Sequence, residues 1–432
     1  NIIAYNLNAG VVVGLTATDR PIYNAILGNS IFGNGLLGID LGQDGVTPNA
    51  AGPRTGPNDL QNYPVLTAAV ARGTSTVIEG TLNSVPNATF RIEFFSNAVA
   101  DRSGFGQGQT FLGFVNVTTD SAGNAAFNVP FAVALPLGTP ISSTATATNL
   151  TSLMFSETSE FSKNVLVASP SIFATGTDAG GGPRVNVYHA ETGALNFSFF
   201  AYDASFKGGV RVAVGDVNGD GIPDIVTAAG PGGGPHVRVF DGQTGLPLAG
   251  AVSSFFAYDP NFVGGLFVAA ADVNNDGFAD IITGADAGGG PHVKLFSGKD
   301  GTVLASFFAY DANFTGGVRV AAADVDGDGF ADIVTGPGPG GGPNVKVFRA
   351  ADLAVLASFY AYAPAFTGGI FVAAGDFNGD AKADLITGAG PGGGPNVKLF
   401  DGATLTELSS FFAFDPTFVG GVRVGAATSN GG

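Results

Sequence analysis

The chain has 432 residues, enough for two or three domains that each bury a core of their own. Only 12 % of the residues are charged and the formal net charge is −17, which excludes a nucleic-acid binder, whose phosphate contacts need a basic face, and disfavours anionic membrane surfaces. There are 68 Gly and 37 Phe but no Cys, so disulfides and thiol chemistry are excluded, and no run of 18 apolar residues offers a membrane-spanning helix. Hydrophobic residues make up 45 % and fall in short runs punctuated by glycine, a profile of many short strands and therefore of an all-β protein.

The chain opens on NIIAYN (1–6) without a signal peptide, as a processed piece of a longer precursor would. NSIFGN (29–34) matches that opening at both asparagines and the central Ile, and apolar runs AGVVVGL and GLLGIDL follow the two segments. The pattern resembles the last two rungs of a right-handed parallel β-helix, where asparagines stack at the turns, so residues 1–42 are expected to be terminal rungs. Two rungs are too few for a stable solenoid. Residues 43–64 turn to Pro, Gly and Asn and read as a linker. Residues 65–168 then hold about seven alternating segments, from VLTAAVA (65–71) to FSETSEFSKNVLV (155–167), with the spacing of an immunoglobulin-like β-sandwich. They resemble the small sandwich modules that follow β-helix segments in large bacterial surface proteins. ASPS (168–171) reads as a hinge.

From about residue 172 one pattern occurs five times. A GGGP turn ends at Pro183, Pro235, Pro291, Pro343 and Pro395, spaced 52, 56, 52 and 52 apart. Each turn is followed by a period-two strand such as PHVRVF, then an aromatic strand (FFAYD at Phe199, Phe255 and Phe307, FYAYA at Phe359, FFAFD at Phe411), then F-x-G-G and a small-residue strand such as GVRVAVGD. Four short strands per unit cannot bury both faces alone, so the units must stack, as propeller blades do. The first copy lacks the opening GVRVAA strand and the last ends on an unmatched one, Gly421 to Ala427. If that strand completes the first blade, residues 172–432 close into a five-bladed ring with no free edge. An open solenoid is the alternative.

Between the first two strands of a blade lie DVNGDGIPD (216–224), DVNNDGFAD (272–280), DVDGDGFAD (324–332) and DFNGDAKAD (376–384). Positions 1, 3, 5 and 9 are always Asp or Asn. A hard cation wants six to eight oxygens, and ligands alternating at 1, 3 and 5 wrap around one point. The candidate ligands for about four Ca²⁺ ions are Asp216, Asn218, Asp220, the Ile222 carbonyl and Asp224; Asp272, Asn274, Asp276, the Phe278 carbonyl and Asp280; Asp324, Asp326, Asp328, the Phe330 carbonyl and Asp332; and Asp376, Asn378, Asp380, the Lys382 carbonyl and Asp384. Hairpin turns alone explain one Asn or Asp per loop, but not four at fixed spacing, repeated four times. EF-hands are excluded because position 12 is Thr227, Thr283, Thr335 or Thr387 rather than Glu. Ala381 stands where the other loops have Gly at position 6. A fifth site is not expected, with Thr428 at position 1 and Ile172 at position 9.

Residues 172–427 resemble FG-GAP repeats, the propeller units of integrin α-subunits and of many bacterial surface proteins, on the strength of these four D-x-[DN]-x-D-x-x-x-D loops. The resemblance implies an extracellular, Ca²⁺-stabilised propeller used in adhesion or assembly. The chain departs from the integrin arrangement in having five copies rather than seven, and no integrin ligand motif carries over.

Other chemistry is sparse. His236 and His292 stand at blade positions equivalent to Arg184, Asn344 and Asn396, a set of five polar side chains that could line one mouth of the ring. GGGP lacks the GK[ST] and helix of a phosphate loop. The aromatic pairs of FFAYD read as core between blades rather than as a sugar platform. The expectation is therefore a secreted or cell-surface structural or adhesive protein without catalytic residues. Its partners would be a protein or glycan ligand or copies of itself, with no nucleic acid and no membrane insertion. The alternatives are a self-assembling filament or surface-layer subunit, joined by strand addition at the N-terminus, and a polysaccharide-active enzyme.

Overall fold

The computed structural model describes residues 1–432 apart from 53, 73, 150–153, 191, 192 and 427–432. The chain divides into two units, Asn1–Pro170 and Ser171–Gly432. Apart from one short 3₁₀ turn at Pro57–Leu60, the described secondary structure is all strand. No helix among the described residues is long and apolar enough to cross a membrane.

The first unit begins with four three-residue strands, β1 (Ile2–Ala4), β2 (Val11–Val13), β3 (Ser30–Phe32) and β4 (Ile39–Leu41). β1 pairs parallel with β3, and β2 parallel with β4. Because the two turns repeat in register, the matched asparagines meet. Asn1 Nδ2 donates to Asn29 Oδ1 at 3.0 Å, and Asn6 Nδ2 to Asn34 Oδ1 at 2.8 Å. Val13, Ile31, Ile39 and Leu41 form a small core with Phe95 and Phe161, which fixes this segment to the strands that follow.

Those strands are β5 (Val65–Arg72), β6 (Ser75–Asn83), β7 (Thr89–Ser96), β8 (Thr110–Thr118), β9 (Asn124–Phe131), β10 (Pro140–Asn149), β11 (Met154–Thr158) and β12 (Val165–Ala168). They run β8-β7-β10-β12-β5-β6-β9, with β11 on β10. All neighbours are antiparallel except β12 and β5. The alternation of the sequence turns one face of each strand into a shared core of Leu66, Ile78, Leu82, Phe90, Ile92, Phe94, Phe127 and Ile141. Residues 43–64, expected as a linker, are instead packed into this unit. Asn58 is completely buried and donates from Nδ2 to the carbonyls of Asn24 at 2.8 Å and Thr158 at 3.0 Å. The Gly and Asn content there serves positive-φ turns at Gly45, Gly52, Gly56 and Asn58.

The second unit consists of five sheets in chain order. The first has β13 (Ile172–Gly176), β14 (Arg184–His189) and β15 (Leu195–Phe200); the second β16 (Val210–Gly215), β17 (Asp224–Ala229), β18 (His236–Phe240) and β19 (Ser254–Phe256). The third has β20 (Leu266–Ala271), β21 (Asp280–Ala285), β22 (His292–Phe296) and β23 (Val303–Phe308). The fourth has β24 (Val318–Ala323), β25 (Asp332–Pro337), β26 (Asn344–Phe348) and β27 (Val355–Tyr360), and the fifth β28 (Ile370–Gly375), β29 (Asp384–Ala389), β30 (Asn396–Phe400) and β31 (Glu407–Phe412). Every sheet is an antiparallel meander, and together they form a five-bladed β-propeller. Cores lie between successive blades: Val226, Val237, Leu266 and Ile281 pack across one joint, Val334, Val345, Ile370 and Leu385 across another.

The unmatched C-terminal segment behaves differently from the expectation. Residues 421–426 form no ladder with β13, so the first sheet keeps three strands. The segment nonetheless takes the innermost place beside the last blade: Val422 is buried, and its N–H donates to the Ala389 carbonyl at 2.9 Å. Ala427, the last residue of the expected strand, and Thr428 lie outside the described residues.

Candidate metal centres and the propeller axis

Each Asp-rich loop connects the innermost strand of a blade to its second strand and folds around its first aspartate. Asp216 Oδ1 accepts the N–H groups of Gly219 at 2.8 Å and Asp220 at 3.1 Å, while Oδ2 accepts that of Gly221 at 2.7 Å. Asp324 and Asp376 repeat the arrangement with Gly327 and Gly379 at 2.7 Å, and Asp272 does so with Gly277 at 2.9 Å. The residues at position 7 are held in the same way. Ile222, Phe278, Phe330 and Lys382 each donate their N–H to the position-5 aspartate, at 2.8, 3.1, 2.9 and 2.9 Å. Position 6 has positive φ in all four loops, 81° at Gly221, 86° at Gly277, 89° at Gly329 and 66° at Ala381, so the alanine is strained where glycine is not.

The position-9 aspartates are buried at the start of β17, β21, β25 and β29. Asp224 Oδ2 accepts from Val217 and Asn218, and its Oδ1 accepts from Gly242 N–H at 3.2 Å. Gly298 and Gly402 serve Asp280 and Asp384 equally, at 3.0 and 3.1 Å. In the third loop the equivalent residue is Ala350, and Asp332 Oδ1 is buried without a partner. Burial, more than the neighbouring carboxylates, pushes Asp224 up to about 7 and Asp280 and Asp332 up to about 6.

The third loop is where the expected ligands converge. Carboxylate oxygens of Asp324, Asp326 and Asp332 lie within 4.8 Å of one another. Among the described residues no other group of three acids or histidines does so. In the first and fourth loops position 3 is Asn, and its amide donates to the position-5 aspartate, Asn218 to Asp220 at 3.0 Å and Asn378 to Asp380 at 3.3 Å. In the third loop Arg349 Nη2 bonds Asp326 Oδ2 at 3.1 Å. An all-oxygen donor set with an orphaned buried carboxylate oxygen fits a hard divalent cation, and the fit is best at Asp324, Asp326 and Asp332.

The axis carries a cluster that sequence reasoning missed. The second residue of each innermost strand, counting 422–426 as the fifth, is Arg211, Phe267, Arg319, Phe371 and Arg423. Arg211 lies over Phe267 at 5.1 Å, Arg319 over Phe267 at 5.4 Å and Phe371 at 4.5 Å, and Arg423 over Phe371 at 4.9 Å. The two phenyl rings meet edge to face at 6.2 Å. Asp286 pairs with Arg211 at 3.2 Å and Asp178 with Arg423 at 2.8 Å. Burial, eased by Asp286, lowers Arg319 to about 10. The centre of the ring is therefore filled by stacked cations and aromatics. The alternation VRV, LFV, VRV, IFV, VRV was visible in the repeats.

The set Arg184, His236, His292, Asn344 and Asn396 is not on the innermost strands. These residues start the third strand of their blades, or in the first blade the second of its three strands, each directly opposite the last aromatic of the outer strand. His236 Nε2 lies 2.8 Å from Ser254 Oγ and His292 Nε2 2.8 Å from Ser306 Oγ. Burial lowers both imidazoles, helped by Arg238 and Lys294. Asn344 and Asn396 reach Ser358 and Ser410 in the same places, at 3.4 and 3.3 Å, so the contact persists where no base is present. It reads as a cross-strand hydrogen bond rather than as a nucleophile with its base.

The aromatic strands divide between two roles. Phe199, Phe255, Phe307 and Phe359 pack into the cores between blades, as expected, but Phe411 at the same position of the last blade is 52 % exposed, because no following blade covers it there. Phe200, Phe256, Phe308, Tyr360 and Phe412 face solvent instead, because adjacent residues of a strand point to opposite faces. In the first unit, a cleft of about 1060 Å³ is lined in part by Tyr5, Asn34, Asp40, Asp44, Asp101 and Gln107.

Residues 216–283 and 272–335 each match the family described as FG-GAP-like repeat. The second unit is thus a β-propeller that carries FG-GAP-like repeats. Among solved structures the chain is similar to the exotype rhamnogalacturonan lyase YesX, at 13 % identity over 84 % of this chain and 59 % of that one, with a TM-score of 0.33. It is similar to the rhamnogalacturonan lyase YesW at 13 % identity over 81 % of this chain and 60 % of that one, with a TM-score of 0.32. The β-propeller domain of the trilobed protease from Pyrococcus furiosus matches at 10 % identity over 83 % of this chain and 97 % of that domain, with a TM-score of 0.28. The chain spans about three-fifths of the length of the two lyases. Likenesses this weak carry no argument about activity.

Proposed function

We propose that the chain is an extracellular structural or adhesive protein of the cell surface, of the bacterial surface-protein kind, whose propeller is stabilised by about four Ca²⁺ ions and has no catalytic role. The observation that carries this reading is the convergence of Asp324, Asp326 and Asp332, within a loop pattern that recurs at 216–224, 272–280 and 376–384. Thirteen aspartates lie in the four loops. Free of cations they repel one another, and dilute intracellular Ca²⁺ suits such exposed loops less than an extracellular medium does. On this reading residues 1–42 are the end of a parallel β-helix, supported by the asparagine pairs, and residues 65–168 an immunoglobulin-like sandwich, supported by the one core its strands share.

Chelation tests the proposal. Dialysis against EDTA should lower the melting temperature of the propeller and added Ca²⁺ should restore it, by about 2.7 kcal/mol for each site held at a hundredfold excess over its Kd. An EDTA-insensitive transition, with no Ca²⁺ found by elemental analysis, would remove the premise. A second reading, self-assembly through the first strand, is supported by the exposed Ile2, Tyr5 and Leu7 along β1 and the turn after it. Electron microscopy that finds only monomers at high concentration would end it.

A further inference from the structure

The solvent-facing aromatics recur at one position in all five blades. Phe200, Phe256, Phe308, Tyr360 and Phe412 are between 47 and 57 % exposed, unusually open for such large apolar rings. Each ring lies against the glycine turn of its own blade. A Cβ added at Gly182, Gly234, Gly290, Gly342 or Gly394 would stand 3.5, 3.7, 3.7, 3.5 or 3.1 Å from the ring's Cε1. In four blades a side chain there would meet the ring at ordinary van der Waals distance, so the turn flanks one side of the ring while the other stays wet. Beside each ring, across the strand pair, stands a hydrogen-bonding side chain: Arg184, His236, His292, Asn344 or Asn396. His236 and Phe256 have ring centroids 5.0 Å apart, His292 and Phe308 4.8 Å. A serine hydroxyl, Ser254, Ser306, Ser358 or Ser410, bonds the polar partner in four blades.

We propose that each blade presents one shallow stacking site for a neutral pyranoside, formed by its exposed ring, the polar residue opposite and the adjacent serine. The proposal rests on the adhesive reading above and names its ligand class. A pyranose has a face of weakly positive C–H groups that complements the negative face of an aromatic ring, and a rim of hydroxyls that both donate and accept. Hydroxyl, imidazole and amide groups, which also do both, meet that rim. A uronate or sulfated chain is disfavoured by the −17 charge of the protein. In the first blade Arg184 itself is stacked on Phe200 at 5.2 Å, and the other nearby cations are occupied in joints between blades, Arg238 donating to the Ala201 carbonyl at 2.6 Å, Lys294 to Ala257 and Lys346 to Ala309, both at 3.1 Å. One isolated ring per blade suits repeated small epitopes better than one broad protein partner. Five weak sites on one ring gain by avidity on a polymer, by a factor on the order of a hundred or more.

The test uses the full chain with Ca²⁺ present, in affinity electrophoresis through gels containing hydroxyethylcellulose, β-1,4-galactan or polygalacturonate. The proposal expects retardation by at least one of the two neutral glycans. Phe256→Ala with Phe308→Ala should weaken it about tenfold, and alanine at all five ring positions should abolish it, with a cooperative melting transition retained to show that the variants still fold. Retardation by neither neutral glycan, by polygalacturonate alone, or by a neutral glycan equally in wild type and the five-ring variant overturns it. The calcium reading is judged separately, by the EDTA melting shift: a protein that Ca²⁺ stabilises but no neutral glycan retards defeats this inference alone.

Discussion

Where one blade meets the next in sequence, a tyrosine from the earlier blade reaches into the later one. Tyr202 donates to the His236 carbonyl at 2.9 Å, Tyr258 to His292 at 2.7 Å, Tyr310 to Asn344 and Tyr362 to Asn396, both at 2.8 Å, each beside a buried threonine of the second strand. Burial raises these phenols, Tyr362 to about 12, so the hydroxyl proton stays in place to donate. The joint between the last blade and the first is built otherwise. Phe414 replaces the tyrosine and is 61 % exposed. The chain end takes over, with Val422 buried and Arg423 bonded to both carboxylate oxygens of Asp178, at 2.8 and 2.9 Å, while stacked on Phe371. The tyrosine bonds span 34 residues, whereas the Arg423 clasp spans 245, which costs about 2 kcal/mol more in chain closure. The ring is thus weakest where its ends meet, and there an ion pair and a stacked cation stand in for a buried hydroxyl.

Three changes would break or sharpen that contrast. The largest effect belongs to ending the chain at Gly420, which removes the Val422 burial and the Arg423 clasp together; urea unfolding should show a loss of about 3 kcal/mol or more. An unchanged midpoint would mean the last segment does not close the ring. Next comes Tyr310→Phe, which leaves the Asn344 carbonyl and Thr335 short of a donor at a buried joint and should cost about 1–3 kcal/mol by the same measurement. Smallest is Phe414→Tyr. The carbonyl a hydroxyl there would need, that of Arg184, already accepts from the Thr177 N–H and Oγ1, both at 3.1 Å. The substitution should therefore stay within about 0.5 kcal/mol of wild type, and a gain on the scale of the tyrosine joints would show that the fifth joint differs only in sequence.

Much of the propeller could be read from the chain alone, because each blade repeats its own local chemistry: a GGGP turn, a period-two strand, an aspartate loop. The four-strand meanders and the loop positions follow from patterns a few residues long. What escaped depends on residues far apart in sequence. Arg211, Phe267, Arg319, Phe371 and Arg423 become neighbours only when innermost strands 52 or 56 positions apart face one axis. The linker reading of 43–64 failed because composition cannot tell a solvated turn from one whose Asn58 amide is spent on buried carbonyls. The outward rings of Phe200 and its equivalents were within reach, since two adjacent aromatics in one strand cannot both face the same core.

The odd number of blades has a consequence of parity. Two residue types set alternately around a circle of five must place one like pair side by side, and here the like pair is Arg423 and Arg211, at the seam. Asp178 and Asp286 sit beside those two guanidiniums, so the mismatch is neutralised where it falls. A relative with one repeat more or one fewer could alternate cleanly and would have no use for a carboxylate at the place of Asp178.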